Sequence, residues 1–312
     1  MISVAAYLDA HREDLDLDGL GVPPAPGCVV LTPRSPRSRH VITLVFGKRG
    51  RHPMLVAKTP RLAHDADRLA HEAAMLEAAD RATAQGTTAA PVLLAFDASL
   101  RSPLLLETAV RGRPISPDAV RRDPRGIVSR VAEALGAMAE ATARMAPPGW
   151  YGSLIEEPLT ALADGGSGAT AELVGTTLAV LEPLRRVRLP LVLEHGDVYH
   201  PNLLLLPDGR IGLLDWERAR DGGLPVGDLL SFLSYAARAL HQEREEAFSG
   251  ARGWAGDHLV THADRLGLRR DQLPLLMLAS SALAAAEHAT GAAMAQWQWM
   301  LGRGDHAARR RR

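Results

Sequence analysis

The most constraining feature of this chain is a β-rich segment at residues 191–216, which reads LVLEHGDVYHPNLLLLPDGRIGLLDW. Its two apolar runs, residues 203–206 and 211–214, flank Pro207-Asp208-Gly209. Pro, Asp and Gly in this order favour a tight turn, so the two runs are predicted to pair as an antiparallel hairpin.

Polar residues gather at the open end of this hairpin. If Asp208-Gly209 forms a two-residue turn, Asn202 lies opposite Asp215, whereas a three-residue turn leaves Asn202 beside Asp215. Asp197 precedes Asn202 by five residues, on the loop that enters the hairpin. Two carboxylates and a carboxamide form an oxygen-only set, which suits Mg²⁺ completed by water and phosphate. The alternative is a capped turn with solvated acidic residues.

Composition draws attention to two of the rarer residues. Of the 36 basic residues 34 are Arg, so Lys48 and Lys58 are the only lysines, and Asn202 is the only asparagine. The Arg side chain ends in a planar guanidinium and the Lys side chain in a compact ammonium, so the two bind a phosphate or pair with a carboxylate in different geometries. Lys58 and Asn202 are therefore candidates for chemistry that another residue type cannot supply.

Lys58 ends an apolar strand, so its ammonium needs a nearby partner. In the helix predicted to follow, Leu62, Leu69 and Leu76 recur every seven residues and are expected to form the buried stripe. At about 100° per residue, Glu72 lies roughly 60° from that stripe, at its edge. A carboxylate there is costly to bury unless it is paired, and Lys58 is the natural partner. The alternative is a surface lysine and an edge glutamate that never meet.

The predicted elements divide the chain into two parts. After a short helix at residues 2–10, the first part contains one main helix, residues 61–85, and strands at residues 28–33, 40–46, 54–59, 91–96 and 103–108. The second part is mainly helical, with helices at residues 120–145, 171–188, 228–240 and 272–300. The expected fold class is α+β, with a small antiparallel-sheet unit at residues 1–107 and a larger, mostly helical unit at residues 108–312.

Charge and cysteine content argue against several classes of protein. The 36 basic and 36 acidic residues give a net charge of zero, unlike a general nucleic-acid binder or a protein held on membranes by basic charge. Cys28 is the only cysteine, which excludes an internal disulfide and a multi-cysteine zinc site. The sequence shows no leader-like apolar run and no apolar stretch of roughly 20 residues. We therefore expect a cytoplasmic protein, either a monomer or a homodimer, that binds neither nucleic acid nor membranes.

The motif His195-Gly196-Asp197, four residues, Asn202, and then Asp215-Trp216-Glu217 resembles the signature of the aminoglycoside phosphotransferase and choline kinase-like family. That family shares the two-lobe fold of protein kinases. A strand lysine, a helix glutamate and a following linker also occur here in the family's order, so the resemblance covers most of the chain.

The resemblance implies a kinase that uses ATP, or alternatively GTP, and Mg²⁺ to phosphorylate a hydroxyl of an aminoglycoside-like antibiotic, a sugar or an amino alcohol. It implies that Asp197 is the catalytic base and that Asn202 and Asp215 hold Mg²⁺ against the nucleotide phosphates.

The remaining implied roles concern the nucleotide and the loop around Asp197. Lys58, fixed by Glu72, would contact the α and β phosphates, and the linker from Glu107 to Ala109 would bind adenine through its backbone. His195 is expected to organise the loop rather than to transfer protons. Asp228 would either cap the helix that it opens or brace the catalytic loop, and both interpretations stay open.

One segment departs from the protein kinase pattern. Residues 32–39 occupy the position of the phosphate-covering loop but contain no glycine. This departure favours the rival hypothesis, a non-catalytic relative that binds a ligand with the same fold. The acceptor is not identified by the sequence, although Trp297, Trp299 and Met300 either wall its site or pack between helices.

Overall fold

A computed structural model describes residues 3–31, 39–48, 50–83, 86–248, 253–288 and 290–309. Within these ranges the α-helices are α1 (Val4–Ala10), α2 (Ala66–Thr83), α3 (Pro117–Arg122), α4 (Pro124–Thr142), α5 (Glu157–Gly165), α6 (Gly168–Leu181), α7 (Gly227–Ala239), α8 (Arg244–Phe248), α9 (Trp254–Arg265), α10 (Leu273–His288) and α11 (Gly291–Arg309). Short 3₁₀ helices span Ala63–Asp65 and Glu182–Arg186, and a π-helical turn spans Gly152–Glu156.

The strands of the described residues are β1 (Gly27–Leu31), β2 (His40–Phe46), β3 (Pro53–Pro60), β4 (Thr88–Ala89), β5 (Leu93–Asp97), β6 (Leu104–Thr108), β7 (Arg113–Pro114), β8 (Arg144–Met145), β9 (Pro190–Glu194), β10 (Leu203–Leu205), β11 (Ile211–Leu213) and β12 (Arg220–Gly223). The chain forms two units, Met1–Ile115 with His200–Ala219, and Ser116–Tyr199 with Arg220–Arg312.

The first unit is built on a five-stranded antiparallel sheet with the order β1-β2-β3-β6-β5. Side chains alternate between the two faces of a strand. Leu55 and Ala57 of β3 and Leu104 and Leu106 of β6 therefore share one face, where they join the apolar core with α1. Lys58 and its neighbours on β6 belong to the other face. The predicted sheet and its one main helix, α2, are both confirmed.

The buried stripe of α2 is shorter than the heptad spacing predicted. Leu69 and Leu76 are fully buried, but Leu62 is 53% exposed, so its assignment to the stripe was wrong. The physical reason is that a 3₁₀ turn, Ala63–Asp65, precedes the helix, and α2 begins only at Ala66. Leu62 therefore lies outside the regular helical repeat.

The hairpin adopts the three-residue-turn alternative. Leu203 pairs with Leu213, and the Leu206 N–H donates to the Arg210 carbonyl at 3.0 Å, which leaves residues 207–209 as the turn. Gly209 has a φ of +88°, a conformation that favours glycine. Asn202 consequently faces Leu214, and Asp215 is the next residue along.

The hairpin belongs to the first unit because it is the centre of a four-stranded sheet with the order β4-β11-β10-β7. β11 pairs with β4 and β10 pairs with β7, and both partners precede Ser116. This grouping differs from the predicted division at residue 107, which assigned the hairpin to the helical part.

The second unit is mostly helical, as predicted, with a small sheet of order β12-β9-β8. The helix predicted at residues 272–300 is two helices, α10 and α11. The helices α5, α8 and α9 were not predicted; α5 and α8 are short, with nine and five residues. Among the described residues, no helix combines the length and apolarity needed to cross a membrane.

We predict that two leucines of the expected stripe, Leu69 and Leu62, respond differently to truncation. Leu69→Ala should lower the free energy of unfolding by about 2–5 kcal/mol, because it opens a cavity between α2 and the rest of the core. Leu62→Ala, the exposed control, should change it by no more than about 0.5 kcal/mol. Urea denaturation of both variants measures the difference, and equal losses would contradict this account of the helix start.

Candidate active site

A buried lysine organises the site of the first unit. Lys58 extends from β3, is 5% exposed, and its ammonium contacts the carboxylate of Glu72 on α2, which is fully buried. The Lys58 Nζ atom lies 3.5 Å from an Oε atom of Glu107 on β6 and 3.8 Å from an Oδ atom of Asp215. The predicted pair of Lys58 and Glu72 therefore forms, and two further carboxylates join it.

Sheet register explains why Glu107 reaches this cluster. Val56 pairs with Glu107 and Lys58 pairs with Leu105. Because side chains two residues apart share a face, Lys58 and Glu107 are diagonal neighbours on the face opposite the apolar core. Glu107 was predicted for its backbone alone, and the contact of its side chain with Lys58 was not anticipated.

The cluster holds one cation and three carboxylates, and the pKa values reflect this imbalance. Burial acts to lower the pKa of Lys58, but the charges of Glu107, Glu72 and Asp215 outweigh it and hold that pKa above its ordinary value. Burial raises the pKa of Glu107 to about 7, with Lys58 only partly opposing the shift. Lys58 therefore stays charged, while Glu107 binds a proton close to neutral pH.

Asp215 and Asn202 lie at the open end of the hairpin, as predicted. The Leu214 N–H donates to the Asn202 carbonyl at 2.9 Å, which holds Asn202 next to the residue before Asp215. Asp215 has a φ of +65°, unusual for a residue other than glycine and typical of residues held in place at functional sites. Its side chain is 41% exposed, whereas Asn202 is buried.

The residues present fit a magnesium ion in donor chemistry. The described residues contain no group of three or more His, Cys, Asp or Glu side chains arranged to hold a metal. One exposed carboxylate, from Asp215, and one amide, from Asn202, nevertheless suit Mg²⁺, which keeps several waters and uses phosphate oxygens as further ligands.

The predicted adenine-binding linker lies at the end of β6. The Ala109 N–H donates to the Met54 carbonyl at 2.9 Å and thereby extends the pairing of β6 with β3. That donor is therefore already used within the sheet. Adenine binding by the backbone of Glu107 and Ala109 stays a prediction. Residues 32–38 of the predicted phosphate-covering segment lie outside the described residues.

In the second unit, one carboxylate holds the loop that carries Asp197. The two carboxylate oxygens of Asp228, in the first turn of α7, accept the N–H groups of His195 at 2.7 Å and Gly196 at 2.9 Å. The N-cap residue of α7 is Val226, so Asp228 lies inside the first turn of the helix and not at its cap. The structure thus decides between the two interpretations of Asp228: it braces the loop.

His195 completes this arrangement of the loop. It is fully buried, and its Nδ1 atom accepts the Asp197 N–H at 3.3 Å. The Tyr199 N–H in turn donates to the Asp197 carbonyl at 3.0 Å. The predicted loop-organising role of His195 agrees with these contacts. Asp197 belongs to the second unit, so its partnership with Asn202 and Asp215 stays a prediction.

Glu194, which sequence reasoning missed, is a partly buried acid beside this brace. Its carboxylate lies against the backbone of Gly223 and Gly227, where a Cβ atom would come within 2.2 Å or 1.8 Å of its oxygens. The Leu224 N–H donates to it at 3.3 Å. Burial, and then the charge of Asp228, raise the pKa of Glu194 to about 8. The available signal was an acidic residue ending the apolar strand directly before His195.

The aromatic residues considered as walls of the acceptor site pack between helices instead. Trp297 is fully buried, and its indole N–H donates to the Thr177 hydroxyl at 2.8 Å. Trp299 stacks edge-on against Phe248, with ring centroids 6.0 Å apart. Met300 is also buried. The packing alternative is the correct one.

We predict that Glu194 makes the stability of the protein depend on pH. A raised pKa means that the folded state keeps a proton which the unfolded state releases near its ordinary pKa of 4.5. The stabilisation is therefore complete below about pH 4.5 and is lost as the pH rises through about 8, with a slope of at most about 1.4 kcal/mol per pH unit. Glu194→Gln should remove this contribution.

Urea denaturation between pH 5 and pH 9 measures the effect. The exposed Glu77→Gln is the matched control and should retain the wild-type pH profile. Identical pH dependence in the wild type and Glu194→Gln would show that Glu194 is ionised in the folded protein.

Comparisons with known proteins agree with the fold. The crystal structure of the aminoglycoside phosphotransferase APH(4)-Ia shares 16% identity, with a TM-score of 0.58, and the match covers 96% of this chain and 98% of that one. The GDP and kanamycin complex of APH(2")-IIia shares 15% identity, with a TM-score of 0.54, over 90% and 91% of the chains.

The choline kinase LicA from Streptococcus pneumoniae shares 12% identity, with a TM-score of 0.53, over 94% and 98% of the chains. These structures confirm the predicted protein kinase-like fold class. No match was found among curated proteins. The sequence model of APH, the phosphotransferase enzyme family, matches residues 36–262, which is well over half of the chain. The protein is therefore a member of the APH phosphotransferase enzyme family.

Proposed function

We propose that the protein transfers the γ-phosphoryl group of ATP to a hydroxyl group of a small molecule, with Mg²⁺ bound by Asn202 and Asp215. The observation that carries the proposal is the Lys58 ammonium, held by Glu72 and placed 3.8 Å from Asp215. The phosphates of a nucleotide are bound by a lysine ammonium and by a metal ion that a carboxylate holds, and Lys58 and Asp215 are the residue types needed for this.

Phosphoryl transfer demands positioning and charge neutralisation more than covalent chemistry from the protein. Lys58 binds the α and β phosphates, and Glu72 holds its side chain in place. Mg²⁺, when bound, neutralises charge that develops on the phosphate oxygens. Glu107, which binds a proton near neutral pH, keeps the negative charge of the cluster from rising as the nucleotide enters.

Asp197 acts as the general base. It accepts the proton of the acceptor hydroxyl as the acceptor oxygen bonds to the γ-phosphorus and the bond from that phosphorus to the β–γ bridging oxygen breaks, which releases ADP. Asp228 and His195 fix the loop, so Asp197 needs little reorganisation to receive the proton.

Related structures support both a nucleotide and a small-molecule acceptor. A thermostable mutant of APH(4)-Ia was solved as a ternary complex with AMP-PNP and hygromycin B, and APH(2")-IIia was solved with GDP and kanamycin. Either ATP or GTP is therefore compatible with this fold, and we propose ATP as the donor. The non-catalytic alternative depends on the glycine-free segment at residues 32–39.

We predict that two aspartates separate catalysis from nucleotide binding. Asp197→Asn should reduce transfer by about 10²–10⁴-fold, because the base is lost, and should leave Mg-ATP affinity unchanged. Asp215→Asn should weaken Mg-dependent ATP binding itself. Calorimetry with Mg-ATP measures affinity, and mass spectrometry of products from pooled hydroxylated compounds measures transfer. Wild-type Mg-ATP affinity in Asp215→Asn would contradict the metal assignment.

The two lysines provide a matched test of the phosphate contact. Lys58→Arg keeps the charge but introduces a larger planar group into a closed site, so transfer should fall roughly tenfold or more. Lys48→Arg changes the only other lysine, which is exposed, and should behave as the wild type. Steady-state kinetics of both variants measure the effect. Unchanged activity in Lys58→Arg would contradict the inference that this position needs a lysine.

A further inference from the structure

A cavity of about 170 Å³ lies in the second unit, next to the loop that carries Asp197. Gly196 and Tyr199, which flank Asp197 on either side, form part of its lining. The rest of the lining comes from α7, α10 and the beginning of α11. A group bound here therefore adjoins the loop of the proposed base.

The inner lining of this cavity carries three buried hydroxyl groups. Ser234 of α7 and Ser280 and Ser281 of α10 are 6%, 8% and 3% exposed. Within the part of the chain that the structure describes, their Oγ atoms have no hydrogen-bond partner. Buried hydroxyls normally find partners, so three together in one cavity point to a ligand that supplies them.

Charge in the cavity is positive or absent. Arg238 of α7 lines it, and none of its described lining residues is Asp or Glu. The described acidic side chains of the lining helices have other partners, since Asp228 of α7 accepts two backbone N–H groups and Glu287 of α10 pairs with Arg220 at 2.5 Å. An ammonium-bearing ligand would meet Arg238 here, and Asp197 on the adjoining loop is a single carboxylate, too few to neutralise a polycation.

The volume also limits the part of a ligand that the cavity encloses. Pockets for drug-sized molecules usually have at least roughly 300 Å³, whereas this cavity would hold about six waters of roughly 30 Å³ each. A single sugar ring or a short hydroxylated chain matches that size.

This inference rests on the proposed function. We propose that this cavity is the acceptor site. It selects a small hydroxylated molecule, neutral or anionic, over a polycationic one. The hydroxyls of Ser234, Ser280 and Ser281 bind hydroxyl groups of the acceptor. Arg238 attracts an anionic group where the acceptor has one and repels ammonium groups.

Three pools of candidate acceptors, sorted by charge, test the proposal. The anionic pool contains glycerate, gluconate and glucuronate, the neutral pool contains glycerol, glucose and inositol, and the cationic pool contains choline, ethanolamine and kanamycin. Each is incubated with the full-length protein and Mg-ATP, and phosphorylated products are detected by mass spectrometry. We expect product from the neutral or the anionic pool.

Product from the cationic pool would overturn the proposal. So would the absence of product from the neutral and anionic pools when calorimetry shows that the protein binds Mg-ATP. Failure to bind Mg-ATP would instead overturn the proposed function and, with it, the acceptor assignment.

Serine variants then test the cavity with the acceptor that the pools identify. Ser280→Ala and Ser281→Ala should each raise its KM about fivefold, because each removes one hydrogen bond to it. Both should leave Mg-ATP affinity unchanged and the Tm unchanged or higher, since an unpartnered buried hydroxyl is lost. A lower Tm with an unchanged KM would show that the serines are only structural.

Two controls accompany these variants. Ser153→Ala removes a hydroxyl of the same unit that is bonded to the Trp150 carbonyl and lies outside this cavity, so its KM should match the wild type. If the acceptor is anionic, Arg238→Gln should raise its KM, whereas Arg130→Gln, on α4, should not.

Discussion

The burial of the Lys58 ammonium constrains the first unit more than any other single interaction. Removing a charge from water costs several kcal/mol unless it is paired and hydrogen-bonded, so β3 can carry this lysine only if α2 presents Glu72 to it. That requirement sets the position of α2 along the sheet. The same alternation that places Leu55 and Ala57 in the apolar core places Lys58 on the opposite face, so one strand serves both the core and the site.

In the second unit, the loop of Asp197 depends on the pair of acids Asp228 and Glu194. Burial raises the pKa of both acids, that of Glu194 to about 8, and the two backbone N–H groups that Asp228 accepts oppose the shift at Asp228. Two ionised carboxylates in this position would repel each other. A proton on Glu194 removes that repulsion and favours the carboxylate form of Asp228, which holds the backbone on the N-terminal side of Asp197. The Glu194 carboxylate fits here because residues 223 and 227 are glycines, since a Cβ atom at either position would clash with it.

The parts of this protein that act through charge or regular pairing could be predicted from the sequence, and the parts that depend on packing could not. The five-stranded sheet, the hairpin and the contact of Lys58 with Glu72 follow from period-two alternation, turn residues and the cost of a buried charge. The start of α2 was missed because a 3₁₀ turn breaks the heptad spacing before Leu69. Glu194 was missed because its partners are backbone groups brought close by folding.

The serines of the proposed acceptor cavity are a second example of residues whose role could not be predicted from the sequence. Serine is an unremarkable residue in a helix, and nothing in the spacing of Ser234, Ser280 and Ser281 distinguishes them from solvent-facing serines. Only folding turns them toward one cavity, where each buried hydroxyl without a partner costs about 1–3 kcal/mol. Alanine would fill the same space without that cost. Burying the Lys58 ammonium also costs free energy, but the carboxylates that offset this cost belong to the chain itself. The serine hydroxyls have none among the described residues, and in the proposed acceptor site the hydroxyl groups of the acceptor supply them.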